Sequence, residues 1–250
     1  NFGDTTVTES FIDSLSFVEN NKLIKIGIAD NASSANSRNE LNQIINKTKL
    51  EAKIFSYNKN YFYWPAIKKV INQLKAENRF YPDWIIVCNN DITFTEKNFF
   101  QELSKIDGST YPIIGPNIIN ENGIKLNPFM INPLSKLEKF YWRMYFVSYP
   151  LSHIMLGIKK FFRFFIPKKN ERNILTNKKV YAIHGSLILF SDHFFNKGGW
   201  LDDNFEMYGE ELTVAEIAKQ LDFSITYFPN LIITHHEHQS TKTIDKRLLF

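Results

Sequence analysis

Short apolar runs bounded by polar or turn-forming residues recur along the chain at 23–29, 84–88, 186–190 and 225–228, each of a length suited to a buried strand. Between several of them the apolar positions change to three- and four-residue spacing. The segments 8–19, 38–47, 65–75 and 210–221 therefore predict amphipathic helices, with Pro65 placed for a first helical turn. Alternation of this kind predicts an α/β fold with a mostly parallel central sheet flanked by helices, and such sheets bind ligands beyond the carboxyl ends of their strands. The residues that follow each apolar run are thus the first candidates for function. Asn120, Glu121, Asn122 and Gly123 read as a turn, after which the alternation gives way to an aromatic and basic stretch ending near Pro167. The pattern divides the chain into 1–126, an insertion at 127–176, and a return to the first domain at 177–250.

At 250 residues, with 44% hydrophobic and 22% charged positions, the composition is that of a globular protein able to bury a sizeable core. The single cysteine, Cys88, excludes an internal disulfide and a multi-cysteine zinc site, and fits a reducing compartment such as a bacterial cytoplasm. No secretory-signal pattern opens the chain, which passes quickly from Asn1 into a helical pattern, so a first strand is expected ahead of it. The net charge of +4 is uneven: 134–170 holds eight Lys/Arg against Glu138 alone, a net of +7. A nucleic-acid binder would spread basic residues over a reading surface and carry a recognition motif; neither is present, so nucleic acid is not an expected partner.

Two apolar runs end in acids, Asp30 with Asn31 and Asp91 after Asn89 and Asn90. An Asp leaving a buried strand can accept hydrogen bonds from a base or ribose, and another can hold a divalent ion that bridges two phosphates. The same residues also end strands simply by forming side-chain turns. Further on, Trp200, Asp202 and Asp203 precede Glu210 and Glu211, paired carboxylates at a helix start that could supply a general base or merely complement the helix dipole. His235, His236 and His238 follow the apolar run 231–233, where metal ligation, phosphate contact and a polar surface loop all remain open.

In chain order, Asp30-Asn31-Ala32-Ser33-Ser34, Asn89-Asn90-Asp91, His184-Gly185-Ser186, Gly199-Trp200-Leu201-Asp202-Asp203-Asn204-Phe205, Tyr208-Gly209-Glu210-Glu211 and His235 with Ser240 resemble the inverting family 2 glycosyltransferases of the GT-A fold. The likeness spans nearly the whole chain apart from the basic segment. It implies a Rossmann-like nucleotide-diphospho-sugar transferase domain that moves a sugar from a nucleoside-diphosphate donor to an acceptor hydroxyl with Mg2+ or Mn2+. The setting it implies is bacterial surface-polysaccharide or lipid-linked glycan synthesis, in the cytoplasm and peripheral to the inner face of the plasma membrane.

By the same resemblance Asp30 contacts the nucleoside, with Asn31, Asn60 and Asn90 as further donor contacts. Asp91 closes a DXD-like metal motif with His235 as a metal or diphosphate contact, Glu211 stands for the catalytic Asp, and Glu210 is its neighbour. Gly185, Trp200, Asp202 and Asp203 lie toward the sugar and acceptor. Ala35, Glu211 and the loop Asn60-Tyr61-Phe62 depart from the family pattern, which leaves open a degenerate scaffold or glycan-binding module. A sugar nucleotidyltransferase is the other alternative, although its glycine-rich, basic phosphate loop is not seen.

Within the basic segment, 144–158 carries no Asp, Glu, Lys or Arg over 15 residues and is broken by Pro150 and His153. A spanning helix needs about 20 apolar residues. The run better fits a helix lying on an anionic membrane surface, with packing on its own domain or on a dimer partner as the competing expectation.

Overall fold

The computed structural model describes residues 4–77, 82–150, 152, 153, 155, 156, 174–205 and 209–236. Strands β1 (Lys25–Asn31), β2 (Glu51–Tyr57), β3 (Trp84–Cys88), β4 (Ile92–Thr93), β5 (Ile113–Asn120), β6 (Lys178–Val180), β7 (Leu187–Ser191) and β8 (Ile225–His235) alternate with helices. The helices are α1 (Thr6–Ser16), α2 (Ala35–Lys47), α3 (Trp64–Ala76), α4 (Phe99–Ser104), α5 (Lys136–Tyr145), α6 (Asp192–Asn196) and α7 (Glu210–Gln220). The expected α/β architecture, a central sheet between helical layers, is what forms.

The main sheet runs β3-β7-β5-β8-β4, with β6 also on β8, while β1 and β2 form a parallel two-stranded ribbon of their own. This sheet is mixed rather than mostly parallel: β5 pairs parallel with β8, but β7 lies antiparallel between β3 and β5. The cause is the connection. The chain enters β7 from β6 through the short segment 181–186 rather than from a helical crossover, so the topology that forces parallel pairing is absent there.

Both faces of the sheet are covered, which explains why its strands read as unbroken apolar runs. Successive side chains point to opposite faces. Leu187 and Leu189 accordingly join Ile114, Ile118 and Ile233 against Ile12 and Leu15 of α1, Leu41 of α2 and Phe99 of α4. Ile188 and Phe190 face the other way, with Ile113, Ile225 and Tyr227 against Trp64 of α3, Phe194 of α6 and Val214 and Ile217 of α7. At about 25 cal/mol per Å2 of apolar surface, this two-sided burial is the main source of stability. The ribbon is tied to the rest by α3, whose Val70 packs so closely on Gly27 that a Cβ there would lie 2.8 Å from its methyl.

Candidate active site

At the carboxyl end of β1, Asp30 is fully buried. Its Oδ2 accepts from Arg38 Nε of α2 at 3.0 Å, and the same guanidinium donates to the Tyr57 carbonyl at 2.9 Å, bracing β1 against β2. The other oxygen, Oδ1, is buried without a protein donor. Such an acceptor costs about 1–3 kcal/mol unless something donates to it. The next side chain holds a loop: Asn31 Nδ2 donates to the Phe62 carbonyl at 2.8 Å, and its Oδ1 accepts from Tyr61 N at 3.2 Å. Asn60 Oδ1 accepts from Phe62 N at 2.7 Å. Both Ala32 (φ 58°) and Phe62 (φ 61°) sit in left-handed backbone that non-glycine residues avoid. Local strain of about 1–3 kcal/mol, held in place by neighbours, concentrates where ligands bind.

A second group forms where β4 pairs with β8. The register sets Ile92 opposite His235, which brings the buried Asp91 to the buried imidazole. His235 Nε2 lies 3.1 Å from Asp91 Oδ1, the Asp91 carbonyl accepts from His236 N at 2.8 Å, and His235 Nδ1 has no partner. The His184 ring is edge-on to His235 at 5.7 Å. Beside them Cys88, which ends β3, has its thiol pushed up to about 12 by burial and then by the Asp91 charge, so it stays a neutral, unreactive group.

The third group is the acid pair. Gly209, with φ 125°, starts α7 without a side-chain cap, so Glu210 and Glu211 occupy the first turn. Glu210 is buried, whereas Glu211 Oε1 accepts from Gly185 N at 3.0 Å. A Cβ at 185 would stand 3.0 Å from that same oxygen and 3.4 Å from Glu210 Cβ, so a larger residue there would push the Glu211 carboxylate by a few tenths of an ångström. Tyr63 Oη donates to the Gly185 carbonyl at 3.0 Å. Burial first, then Cys88, Glu210, Asp91 and Glu211, hold this phenol well above its ordinary range, so it remains a donor at any working pH. The loop 58–63 therefore runs from the latch at Asn31 to Gly185, joining the β1 end to the acid pair.

The other expected residues have different partners. Asn90 Nδ2 donates to Thr8 Oγ1 of α1 at 2.9 Å, Asp203 accepts from Lys68 of α3 at 2.6 Å, and Asp202 accepts from Asn204 N at 3.1 Å. Trp200 is 39% exposed. His236 turns to Glu121 at 2.8 Å and Thr93 at 3.0 Å. Tyr208, His238 and Ser240 lie outside the described residues.

The sequence matches no protein-family model and no curated protein. Solved structures do match. S. aureus TarS superposes with a TM-score of 0.57 at 10% identity over 94% of this chain and 35% of that one. GalNAc-T7, crystallised with UDP, GalNAc and Mn2+, gives 0.56 at 15% identity over 92% of this chain and 40% of its own. TarS 1–349 in complex with UDP-GlcNAc gives 0.56 at 12% identity over 96% of this chain and 59% of that chain. The fold is GT-A. This GT-A chain spans 35–59% of the length of the three structures compared.

Three residues of the candidate site carry no motif in the sequence: Arg38, which orients Asp30; Tyr63, which bridges to Gly185; and Asn127. The last is fully buried, donates to the Pro116 carbonyl at 2.8 Å and accepts from His184 N at 2.7 Å, which positions the strand entry at Gly185. Their signals were weak: a polar residue inside a helix pattern, a Tyr in a loop, and an Asn before Pro128.

Proposed function

We propose that this chain moves a sugar from a nucleoside-diphosphate donor to an acceptor hydroxyl, with inversion at the anomeric carbon. The observation that carries the reading is the link, through the loop 58–63, between the β1 end, where Asp30 Oδ1 is buried without a hydrogen bond among the described residues, and the carboxylate of Glu211 held on Gly185 N. Asp30 Oδ1 is placed to accept from the base or ribose of the nucleoside. Glu211 takes the proton of the acceptor hydroxyl; the hydroxyl oxygen bonds to the anomeric carbon as the bond from that carbon to the diphosphate breaks, and the electron pair leaves on the nucleoside diphosphate. Its second oxygen, Oε2, carries no hydrogen bond among the described residues, and Tyr63 keeps the Gly185 peptide in register.

The donor set at Asp91 and His235 fits a divalent ion of the Mg2+ or Mn2+ kind. It offers the carboxylate of Asp91, with the His235 imidazole orienting it from Nε2 at 3.1 Å, while no group of three or more His, Cys, Asp or Glu converges among the described residues. Ions of this kind are commonly held by one or two carboxylates together with substrate phosphates. Bound there, the ion would supply charge neutralisation for the departing diphosphate.

UDP-sugars are the first donors to test, since structures of similar fold were crystallised with UDP or UDP-GlcNAc. A glycan or lipid-linked glycan is the proposed acceptor, in surface-polysaccharide assembly. Calorimetry with UDP, dTDP and GDP, in Mn2+ and again in EDTA, tests the reading. One nucleotide should bind in Mn2+, at least tenfold more weakly in EDTA and in Asp91→Ala. Absence of binding by all three would leave the scaffold alternative in its place.

A further inference from the structure

We infer that α5 is a docking surface for an anionic lipid bilayer. A capping box formed by Ser135 and Glu138 starts this helix, with the Ser135 hydroxyl and amide both bonded to Glu138 Oε2 at 2.7 and 2.8 Å. The helix is therefore locally defined, yet none of its residues is buried. Leu137 is 81% and Phe140 63% exposed, and with Met144 they follow the i, i+3, i+7 spacing of one face. Phe146 and Val147, just past its end, are 70% and 65% exposed. Lys136, Lys139 and Arg143 repeat the same spacing alongside, and the one acid, Glu138, is consumed by the cap.

An apolar face flanked by cations is what an interfacial helix presents: the ring and aliphatic carbons enter the acyl boundary while the cations meet lipid phosphates. Charge complementarity decides against a second copy of this chain. The sequence from 146 to 170 adds five Lys/Arg and no acid, so two such surfaces would repel each other. No described helix is long and apolar enough to cross a membrane, so the contact lies in the plane of the surface.

The geometry also gives this contact a use. Met130, five residues before the Ser135 cap, exchanges backbone hydrogen bonds with Ala182 at 2.9 and 3.0 Å, three residues before Gly185. Docking through α5 would thus orient the Glu211 side toward the bilayer, where a lipid-linked hydroxyl is presented. That use rests on the sugar-transfer reading; the docking does not.

The test is flotation of the full chain with vesicles of phosphatidylglycerol and phosphatidylcholine, or of phosphatidylcholine alone, with UDP calorimetry on the same samples. The wild-type chain should float with the anionic vesicles only. Leu137→Asp with Phe140→Asp should lower the bound fraction at least tenfold, and so should replacing Lys136, Lys139 and Arg143 by Gln, which leaves the apolar face intact. Melting temperature and UDP binding should be unchanged in both. A wild-type chain that does not float, variants that float equally, or a wild-type dimer abolished by either variant without vesicle binding would each overturn the docking, whatever calorimetry shows for the donor.

Discussion

Glu211 is the residue whose chemistry can be isolated most cleanly. Gln at 211 keeps a carbonyl oxygen for the Gly185 N–H, which Glu211 Oε1 now accepts at 3.0 Å, and removes only the capacity to take a proton. Glu211→Gln should therefore reduce kcat about 10²–10⁴-fold and leave the donor Kd within twofold, as measured by steady-state kinetics and calorimetry. Turnover at the wild-type rate would remove Glu211 from the base role. The neighbouring acid differs in kind. Glu210 is buried beneath the first turn of α7, so it belongs to the wall of the site rather than to its open side. By residue type the two adjacent acids are alike, and only the family resemblance gives Glu211 the base role and Glu210 the neighbouring one.

At the scale of elements, the loop 58–63 and the Lys68 tie decide how the site is held. Asn31→Ala removes two hydrogen bonds to the backbone of Tyr61 and Phe62 and leaves the left-handed backbone of Phe62 held by the Asn60 bond without the Asn31 latch. The expected loss is about 1–3 kcal/mol in denaturant unfolding, with donor affinity weakened alongside. The Lys68–Asp203 pair joins α3 to the loop before α7 at 2.6 Å, with the two side chains 30% and 44% exposed. The hydrogen bond from Lys68 holds the Asp203 carboxyl below its ordinary range. A carboxyl depressed in the folded state adds stability above its unfolded value and loses it as pH falls through the folded one. Lys68→Met should thus cost under about 1 kcal/mol at pH 7, a difference that fades as pH falls below about 4 and through the lowered titration of Asp203, followed by urea unfolding across pH.

The strands that escaped the pattern reading share one cause. β5 contains Gly115 and Pro116, which mark a break in an isolated sequence. In the folded chain a Cβ at 115 would come within 2.6 Å of Ile183, and the ladder with β8 shifts register between Pro116 and Asn117. That shift also absorbs Pro229 and Asn230, so 225–228 and 231–233, read as separate runs, become one strand. β2 alternates charged and apolar residues as an edge strand does, with Lys53 and Glu51 each in an exposed ion pair.

For the whole molecule, the division between ribbon and main sheet predicts uneven stability. β5 has ladder partners on both sides, whereas among the described residues β1 and β2 pair only with each other. Their side chains are also less buried: three of the seven positions of β2 are exposed and one, Phe55, is buried, while seven of the eight in β5 are buried. Hydrogen exchange should therefore open β1 and β2 before β5 and β7, at an opening free energy measurably below the global value. Uniform protection across both sheets would contradict this. Because Asp30 sits on the ribbon and Glu211 on α7, saturating nucleotide with Mn2+ should raise the ribbon's protection most.

What the sequence determined alone is the local part: helices where apolar residues recur every three or four positions, strands where short apolar runs end in Asp30 and Asp91, and the placing of acids at those ends. These follow from the periods of helix and strand, which act within a few residues. The tertiary structure alone decided which residues meet. Asp91 and His235 are 144 positions apart and touch only because β4 and β8 pair in one register. Tyr63 and Gly185, 122 positions apart, meet because the loop 58–63 crosses between two separate sheets. Such contacts depend on strand order and direction, and those are set by how the whole chain closes its two-sided core.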